Sequence, residues 1–278
     1  MAGGTVTRFA PSPTGYLHLG HALAALTAAR LASPGGFLLR IEDIDRDRCR
    51  PAYETAIFQD LHWLGLDWPE PVMRQSDRLP AYQQAIDRLT AMGLTYPCRC
   101  RRGDIRAALS APQEGCLPHG PDGLIYPGTC RIRPMADAGP DDVIRLNAAA
   151  AFDRLACDQL GFDEQGQPQR LDRAGFLAGI GDVILSRRGM GTSYHLAVVI
   201  DDAAQGVTLV TRGRDLFAST WIHVLLQRLL DLPIPAYHHH RLIRDPAGKR
   251  LAKRDNARAL RQLRAGGATP ADIRRMLG

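Results

Sequence analysis

The chain has 278 residues, of which 45% are hydrophobic, and it carries a net charge of +6 at pH 7. This length can bury a full core in one large domain or two small ones. No apolar run approaches the ~18 residues of a membrane span, and the first residues lack the basic-then-apolar order of a secretory leader. We therefore expect a cytoplasmic protein that has no membrane partner.

Arginine supplies almost all of the positive charge, since only Lys249 and Lys253 among the 35 basic residues are lysines. An arginine surplus suits a phosphate-rich partner, because guanidinium groups bind phosphate through paired hydrogen bonds. A genome whose base composition favours arginine codons gives the same surplus, so charge alone does not identify a partner. The two lysines are more informative, because they lie close together in one short loop.

The first predicted elements are a short strand before residue 10 and a helix over residues 21–31. The stretch between them, R-F-A-P-S-P-T-G-Y-L-H-L-G-H, contains two prolines that prevent an early helix start and two glycines that permit a tight turn. Strand, turn and helix N-terminus together predict a phosphate site, because backbone N–H groups and the positive end of the helix dipole face the ligand. His18 and His21 add two side-chain donors to this turn.

An unbroken apolar run, F-L-L-R-I at 37–41, comes next and predicts a buried parallel strand. It ends in E-D-I-D at 42–45, so carboxylates lie at the carboxyl edge of the strand, where ligands bind in open α/β sheets. Helical spacing continues over 53–66 and 80–92. The alternation of strands and helices predicts a doubly wound α/β domain.

The pattern changes between about residues 98 and 140, where glycine and proline become frequent, apolar periodicity disappears and four of the six cysteines cluster. We expect an insertion without a large core of its own. In a cytoplasmic chain the cysteines argue against disulfides, and tetrahedral zinc is the alternative. Three thiolates are available, from Cys98, Cys100 and Cys130. The residues leave the fourth ligand open between Cys116, His119 and Tyr126, with Cys116 favoured because phenolate is a rare zinc ligand.

Two apolar runs in the second half, at 196–200 and 207–213, predict buried strands separated by a turn. A helix is expected over 217–230. Thr269, followed by proline and an acidic residue, has the pattern of an N-cap and predicts a short terminal helix. His238–His240 lie on an extended segment, where neighbours point to alternate faces, so we expect a structural role or a position near phosphate rather than a joint metal site.

Two short motifs carry a family resemblance. H-L-G-H at 18–21 resembles the H-x-G-H signature of class I aminoacyl-tRNA synthetases, and R-F-A-P-S-P-T-G before it is similar to the opening of their glutamyl and glutaminyl branch. G-K-R-L-A-K-R at 248–254 resembles the K-M-S-K-S loop of the same class. Lys253 matches the second lysine of that motif, which in the family neutralises the ATP phosphates. Arg250 replaces the first lysine and keeps a cation, whereas Ala252 replaces the serine and removes a hydroxyl donor.

The resemblance implies a fold and a division of the chain. The expected fold is α/β, a Rossmann-type class I synthetase catalytic domain with a zinc-containing insertion and a short helical C-terminal stub. The first half of the Rossmann domain would occupy residues 1–95 and the second half residues 141–235. Residues 96–140 would form the zinc-binding, acceptor-type insertion, and residues 236–278 the K-M-S-K-S-like loop and the stub.

The resemblance also implies the substrate-binding residues. ATP, with Mg²⁺, would be bound through His18, Gly20, His21 and Lys253, of which the histidines and the lysine are catalytic. L-Glutamate would be surrounded by Arg8, Phe9, Ala10, Pro11, Ser12, Glu42, Tyr194 and Arg212. The chemistry agrees, because arginines bind carboxylates through paired hydrogen bonds and a glutamate side chain can receive the ammonium group. A cationic pocket would reject glutamine, whose neutral amide leaves a desolvated guanidinium without its counter-charge.

The same resemblance changes the choice of metal ligands. The family has C-x-C followed by Y-x-x-x-C, and Tyr126 and Cys130 match the second half of that pattern. We therefore adopt Cys98, Cys100, Tyr126 and Cys130 as the ligands of one structural Zn²⁺. The gap between the two halves is longer here and holds Cys116, which stays the rival fourth ligand. Reduced structural cysteines without a metal are the other alternative.

A function follows from how much of the family pattern is present. A full glutamyl-tRNA synthetase continues from its second motif into a large anticodon-binding domain, whereas only residues 255–278 follow that motif here. Together with the cysteine and tyrosine pattern, this is similar to the glutamyl-Q tRNA(Asp) synthetases. That family activates L-glutamate with ATP without needing tRNA and transfers it to queuosine at the wobble position of tRNA(Asp). The expected RNA partner is the queuosine-containing anticodon stem-loop of tRNA(Asp).

Two other functions stay open. One is a truncated glutamyl-tRNA synthetase that charges the 3′ end of tRNA(Glu), which the short segment after the second motif disfavours. The other is a non-catalytic RNA-binding relic of the fold. Intact His18, His21 and Lys253 argue against a relic.

Overall fold

The computed structural model of the chain describes residues 4–109, 118–243 and 259–278. Within these residues the strands are β1 (Thr7–Phe9), β2 (Phe37–Ile41), β3 (Met73–Arg74), β4 (Thr95–Cys98), β5 (His119–Gly120), β6 (Gly123–Leu124), β7 (Val143–Leu146), β8 (Gln159–Glu164), β9 (Gln167–Asp172), β10 (Ile184–Ser186), β11 (Leu209–Gly213) and β12 (Ala236–His240). The helices are α1 (Leu19–Leu31), α2 (Pro51–Trp63), α3 (Leu79–Ala91), α4 (Arg102–Leu109), α5 (Ala148–Leu155), α6 (Arg173–Gly179), α7 (Tyr194–Ala204), α8 (Thr220–Leu229), α9 (Leu260–Ala265) and α10 (Pro270–Leu277). None of the helices in these ranges is long and apolar enough to cross a membrane.

The described residues fall into two compact units, and each unit is assembled from segments that are distant in the sequence. The first unit takes its residues from Met1–Asp77, Gly206–Asp215 and Pro235–Gly278. The second unit takes its residues from Arg78–Gln205 and Leu216–Ile234. The four-part division expected from the sequence stays a prediction.

A parallel sheet in the order β1-β2-β3 lies in the first unit. Arg8 on β1 is opposite Leu38 on β2. β11 and β12 form a second parallel pair, and the backbone N–H of Leu209, at the start of β11, donates to the Val6 carbonyl just before β1 at 3.0 Å. The strand predicted at 37–41 is β2, and its apolar residues are buried except for the half-buried Leu38, as is typical of parallel strands.

The core of the first unit joins helices from both ends of the chain. α1 packs against α10, and α2 packs against α9. Leu260 and Ile273 are fully buried in the same cluster as Leu17. The predicted N-cap is confirmed, since the Thr269 hydroxyl accepts a hydrogen bond from the Asp272 backbone N–H at 3.2 Å. The terminal helices are therefore part of the unit that carries the N-terminal turn.

The second unit combines an antiparallel sheet in the order β10-β7-β4 with the β8–β9 hairpin. Helix α7 packs against α3 and α8. The fully buried Asp201 carboxylate on α7 accepts hydrogen bonds from Arg78 Nε at 2.6 Å and from the Tyr82 hydroxyl at 2.7 Å. These two bonds fix the N-terminal part of α3 against α7, because a buried carboxylate needs such partners.

One predicted strand is a helix in the structure. The run at 196–200 lies within α7, which begins at Tyr194 and is capped by Ser193, whose hydroxyl accepts from the Leu196 backbone N–H at 3.4 Å. The predicted strand is wrong because residues 196–199 of α7 are all buried, so this stretch of the helix has no polar side that would mark a helical period. A short apolar run does not distinguish a buried helix from a buried strand. The other predicted helices and strands are present, with ends shifted by a few residues.

Candidate functional site

The turn between β1 and α1 is closed by two histidines. His18 is the N-cap of α1, and its Nδ1 accepts a hydrogen bond from the Gly20 backbone N–H at 3.1 Å. In return, His21 Nδ1 accepts from the His18 backbone N–H at 3.1 Å. The ring centroids lie 3.9 Å apart. Since Nδ1 of each ring is an acceptor, each neutral ring carries its proton on Nε2 and presents that atom as a donor.

The first helix starts earlier than predicted, at Leu19 rather than at His21. The two histidines of the motif therefore occupy the N-cap and the first turn, where the positive end of the helix dipole lies. Their Nε2–H donors and the positive end of the helix dipole are therefore found at the same turn. This combination can neutralise an anion such as phosphate. The phosphate site expected here from the sequence stays a prediction.

The C-terminal segment returns to the same turn. Ala259 pairs with His18 in an isolated antiparallel bridge, and the next backbone N–H donates to the Leu17 carbonyl at 2.8 Å. The predicted phosphate-binding loop at 248–254, with Lys253, lies outside the described residues. The chain that follows this loop is anchored beside His18, so the fold brings the flank of the second motif to the first motif.

Two of the predicted glutamate-binding residues are buried arginines of the first unit. Arg8 on β1 and Arg212 on β11 are each 5% exposed. Arg8 Nη1 donates to the carbonyl of Thr211, the residue before Arg212, at 3.2 Å. Arg212 Nε donates to His239 Nε2 at 3.2 Å, and its guanidinium lies 5.4 Å from the ring centroid of Tyr237. Two buried guanidinium groups on nearby strands create a positive environment that suits a carboxylate.

Glu42 follows β2 and lies against the segment that carries Arg8. Its backbone N–H donates to the Pro11 carbonyl at 3.0 Å, and Arg40 Nη2 lies 3.4 Å from its Oε1. The rest of the predicted segment 8–12 is buried or half-buried except for the exposed Ser12. The structure therefore places an acidic side chain and two basic side chains at the carboxyl ends of parallel strands within one unit.

Tyr194 belongs to the second unit, as the first residue of α7. Its ring packs edge-on against the rings of His195 and His223, with centroids 5.4 and 5.8 Å away. His195 Nδ1 is 3.0 Å from His223 Nε2, and His195 Nε2 is 2.9 Å from Asp122 Oδ1. Sequence reasoning missed this chain of three residues, in which the two histidines are buried and Asp122 is exposed. No short motif indicates it, because its neighbouring members are 28 and 73 residues apart.

Three cysteines that are predicted metal ligands come together in the second unit. The Sγ atoms of Cys98, Cys100 and Cys130 lie within 4.8 Å of one another. The Tyr126 hydroxyl lies 3.3 Å from Cys98 Sγ and 3.5 Å from Cys100 Sγ, and it accepts the Cys130 backbone N–H at 2.8 Å. Zn–S bonds of ~2.3 Å in a tetrahedron place sulfurs ~3.8 Å apart, and the Cys100 and Cys130 sulfurs are 3.6 Å apart. This donor set fits one tetrahedral ion.

The protonation of the cluster also suits a metal. Burial alone would raise the pKa of the Cys130 thiol, but hydrogen bonds, first from Tyr126, lower it to about 7. Burial raises the pKa of Cys100 to about 11 and also raises the pKa of Tyr126. The thiol of Cys130 therefore loses its proton more readily than an ordinary cysteine. A metal ion would displace the protons of the other ligands. Of the rival fourth ligands, His119 is not in the cluster and Cys116 lies outside the described residues.

Known proteins of similar sequence belong to one enzyme class. The family model described as "tRNA synthetases class I (E and Q), catalytic domain" matches residues 5–278. The glutamyl-Q tRNA(Asp) synthetase of Rhodobacter capsulatus is 58% identical over 282 residues, which cover 98% of this chain and 99% of the relative. The glutamyl-Q tRNA(Asp) synthetase of Nocardia farcinica is 43% identical, over 99% of this chain and 84% of the relative.

Solved structures show the same architecture. The glutamate tRNA ligase of Elizabethkingia meningosepticum, solved in complex with its amino acid, has a TM-score of 0.67 and 28% identity, and the match covers 90% of this chain and 52% of that one. The glutamate-tRNA synthetase of Elizabethkingia anophelis has a TM-score of 0.70 and 28% identity, with 91% and 53% covered. The chain thus spans about half the length of these two structures.

Proposed function

Because this chain belongs to the class I tRNA synthetases of the E and Q type, and within them to the glutamyl-Q tRNA(Asp) synthetases, we propose that its substrates are L-glutamate, ATP and tRNA(Asp). It activates glutamate to glutamyl-adenylate and transfers the glutamyl group to queuosine at the wobble position. The observation that carries this proposal is the 58% identity to the Rhodobacter capsulatus synthetase over nearly the full length of both chains.

In the first step, an α-carboxylate oxygen of glutamate attacks the α-phosphorus of ATP in line, and pyrophosphate leaves with the electrons of the broken P–O bond. The Nε2–H groups of His18 and His21 and the N-terminus of α1 bind the phosphate oxygens, where negative charge has to be stabilised in the transition state. Lys253 adds a further positive charge, and Mg²⁺ bound with ATP supplies more. The chain itself mainly positions the reactants and neutralises charge.

The buried arginines select glutamate over glutamine. Arg8 and Arg212 donate to carboxylate oxygens, and Glu42 receives the ammonium group. Glutamine would place a neutral amide against a desolvated guanidinium, and the charge–charge attraction would be lost. Tyr194 and residues 9–12 are further predicted contacts of the amino acid. The arrangement of Arg8 against Thr211 supports this assignment, because it holds the two guanidinium groups on nearby strands.

In the second step, a hydroxyl oxygen of queuosine attacks the carbonyl carbon of the mixed anhydride, so that an ester forms and AMP leaves. The wobble nucleotide is unpaired in the free anticodon loop, and proteins read RNA mainly at such unpaired bases. The net charge of +6 supports a nucleic-acid partner, since phosphate contacts contribute strongly to binding.

We also assign one structural Zn²⁺ to Cys98, Cys100, Tyr126 and Cys130. A bound ion would link the end of β4 to the loop that carries the tyrosine, as closed four-coordinate sites do. The convergence of three sulfurs and one phenol oxygen supports this ligand set. Cys116 is the rival for the fourth position.

The experiment that tests this function identifies the nucleotide that carries the label after incubation with radiolabelled glutamate, ATP and total tRNA. We expect the label on the wobble nucleotide of tRNA(Asp), and none on tRNA(Asp) from cells that cannot make queuosine. An isolated queuosine-containing stem-loop should suffice as substrate. Label at the 3′ end of tRNA(Glu) would make the chain a glutamyl-tRNA synthetase instead. Absence of glutamate-dependent ATP–pyrophosphate exchange would make it a non-catalytic relic.

A further inference from the structure

The second unit contains a cavity of about 330 Å³ that no step of the proposed reaction uses. Helix α4, the β5–β6 hairpin and β10 contribute to its lining. The uncharged lining is mainly isoleucine, leucine, valine and glycine, and the charged lining consists of Arg102, Arg106, Arg145, Arg187, Asp122 and Asp182. An apolar cavity of this size with a few fixed charged groups is typical of a site for a small ligand or for part of a larger one.

Asp182 does not offset the charge of the lining arginines, because its carboxylate forms an ion pair with Arg131. Its Oδ2 accepts hydrogen bonds from Arg131 Nε at 2.8 Å and from the Tyr96 hydroxyl, and its Oδ1 accepts the Ala148 backbone N–H at 2.9 Å. Arg131 is not part of the cavity lining. The other charged residues of the lining are four arginines and one aspartate, so the cavity carries a net positive charge.

Arg145 provides a second, independent observation. This side chain is 6% exposed. Its Nη1 donates to the Asp182 carbonyl at 3.2 Å, and its guanidinium lies 3.9 Å from the ring centroid of Tyr126. Its Nε is buried and has no hydrogen-bond partner in the part of the chain that the structure describes. A buried donor without a partner is destabilising, so an acceptor on a bound ligand would stabilise this side chain.

Asp122 offers the cavity an acceptor of opposite charge. Its Oδ1 lies 2.9 Å from His195 Nε2. Burial raises the pKa of Asp122, but the hydrogen bond from His195 and the charges of Arg187 and Arg145 hold it below the usual value. Asp122 is therefore ionised at neutral pH and can accept hydrogen bonds from N–H groups, which nucleobase edges carry.

We propose that this cavity binds one nucleotide of the RNA substrate. Its phosphate contacts the exposed Arg102, Arg106 and Arg187, since guanidinium groups bind phosphate through paired hydrogen bonds. Its unpaired base enters the apolar interior, with polar edge atoms toward Asp122 and Arg145. The proposal rests on the proposed function, because it takes the RNA of that reaction as the source of the nucleotide. A free mononucleotide has the same chemistry, so the experiment has to separate the two sources.

The test compares Arg102→Gln and Arg187→Gln with Arg154→Gln in the full chain. Arg154 is an exposed arginine on α5 of the same unit and lies outside the cavity lining, so its variant loses the same charge. Binding of queuosine-containing tRNA(Asp) is measured over a series of salt concentrations. We expect each cavity variant to bind about tenfold more weakly, with a salt slope smaller by ~0.7 for each lost phosphate contact. The Arg154 variant should bind as the parent does.

The outcomes separate this proposal from the function on which it rests. Glutamate-dependent pyrophosphate exchange needs no RNA, and it should be unchanged in all three variants as the control for folding. Equal weakening of tRNA binding in the three variants, or none in the two cavity variants, would overturn the proposal. The proposal would also be overturned if the cavity variants lost the binding of nucleoside 5′-monophosphates but retained the binding of tRNA. A parent protein that performs exchange but transfers glutamate to no tRNA would instead overturn the proposed function.

Discussion

Arg212 donates from Nε to Nε2 of His239 at 3.2 Å. His239 therefore accepts at Nε2, and in its neutral form it carries its proton on Nδ1. The ring of Tyr237 is nearly parallel to that of His239, with 4° between the planes and 5.9 Å between the centroids. Both residues belong to β12, which pairs in parallel with β11. Tyr237 and His239 lie on one face of β12 and orient the guanidinium of Arg212, to which we assign the binding of glutamate.

Replacing His239 by leucine removes this acceptor, so the guanidinium of Arg212 is held less firmly in its present direction. We expect the KM for glutamate in pyrophosphate exchange to rise about tenfold, the scale of one hydrogen bond to a charged group, with a smaller change in kcat. His239→Gln, whose amide oxygen can accept the same bond, should recover most of the affinity. Equal losses in the two variants would mean that the ring acts only through packing.

One zinc ion per chain should be present in the purified protein and should be lost from Cys98→Ser or Cys130→Ser, because three ligands no longer close a tetrahedral site. Tyr126→Phe should weaken binding, and Cys116→Ser should leave it intact. Elemental analysis of each purified variant measures the metal content. Cys157→Ser, outside the cluster, is the matched control. A site that Cys116→Ser empties and Tyr126→Phe leaves full would reverse the choice of the fourth ligand.

Lys253 should have a large effect on adenylate formation. Lys253→Ala is expected to lower glutamate-dependent pyrophosphate exchange by roughly 10²–10³-fold, the usual scale for removing one group that stabilises charge in a transition state. Lys249→Ala, which changes the only other lysine of the chain, is the matched control and should change the rate much less. If the Lys253 variant exchanges pyrophosphate at nearly the parental rate, the motif has been assigned to the wrong residues.

Asp60 on α2 carries a buried carboxylate whose oxygens have no hydrogen-bond partner among the described residues. It is 1% exposed, and Arg264 Nη1 lies 3.9 Å from its Oδ1. Burial raises the pKa of Asp60 by more than the charges of Arg264 and Arg261 lower it. Because the pKa is higher in the folded than in the unfolded chain, the group favours folding at low pH, and this contribution is lost as the pH rises through the folded value.

Asp60→Asn should therefore stabilise the protein at pH 7, by about 1 kcal/mol, since the buried charge is removed. The gain should shrink as the pH is lowered toward the ordinary range of an aspartate. Thermal unfolding at several pH values measures the effect. Asp67→Asn, at a side chain that is 91% exposed in the same unit, is the control. A less stable variant at pH 7 would show that attraction to the arginines outweighs the penalty of burial.

Elements whose signals lie within a short stretch could be predicted from the sequence. The apolar run of β2 and the cap at Thr269 are examples, and the histidine motif at 18–21 indicated a helix N-terminus within two residues of its observed start. The reciprocal caps between His18 and His21 could not be foreseen, because they depend on where the helix starts. Helix α7 could not be predicted either, because the burial of residues 196–199 removes the periodicity that marks a helix.

The remaining features depend on residues that only the fold brings together. The chain of Asp122, His195 and His223 and the contact of Arg8 with Thr211 join elements that are far apart in the sequence. No local pattern encodes such pairings. The cysteine cluster is an intermediate case, because spacing indicated the thiols and the family resemblance indicated Tyr126, whereas the distances between these groups follow from the structure.

The assembly of the first unit from both ends of the chain has a consequence for biosynthesis. Leu260 and Ile273, which complete the core around β1 and α1, are translated after every segment of the second unit. Contacts between such distant segments form slowly and leave apolar surface open to aggregation in the meantime. The segments of the second unit end at Ile234. During synthesis there is therefore an interval in which only the second unit has all of its residues. In that interval helix α1 is exposed and can be bound by a chaperone.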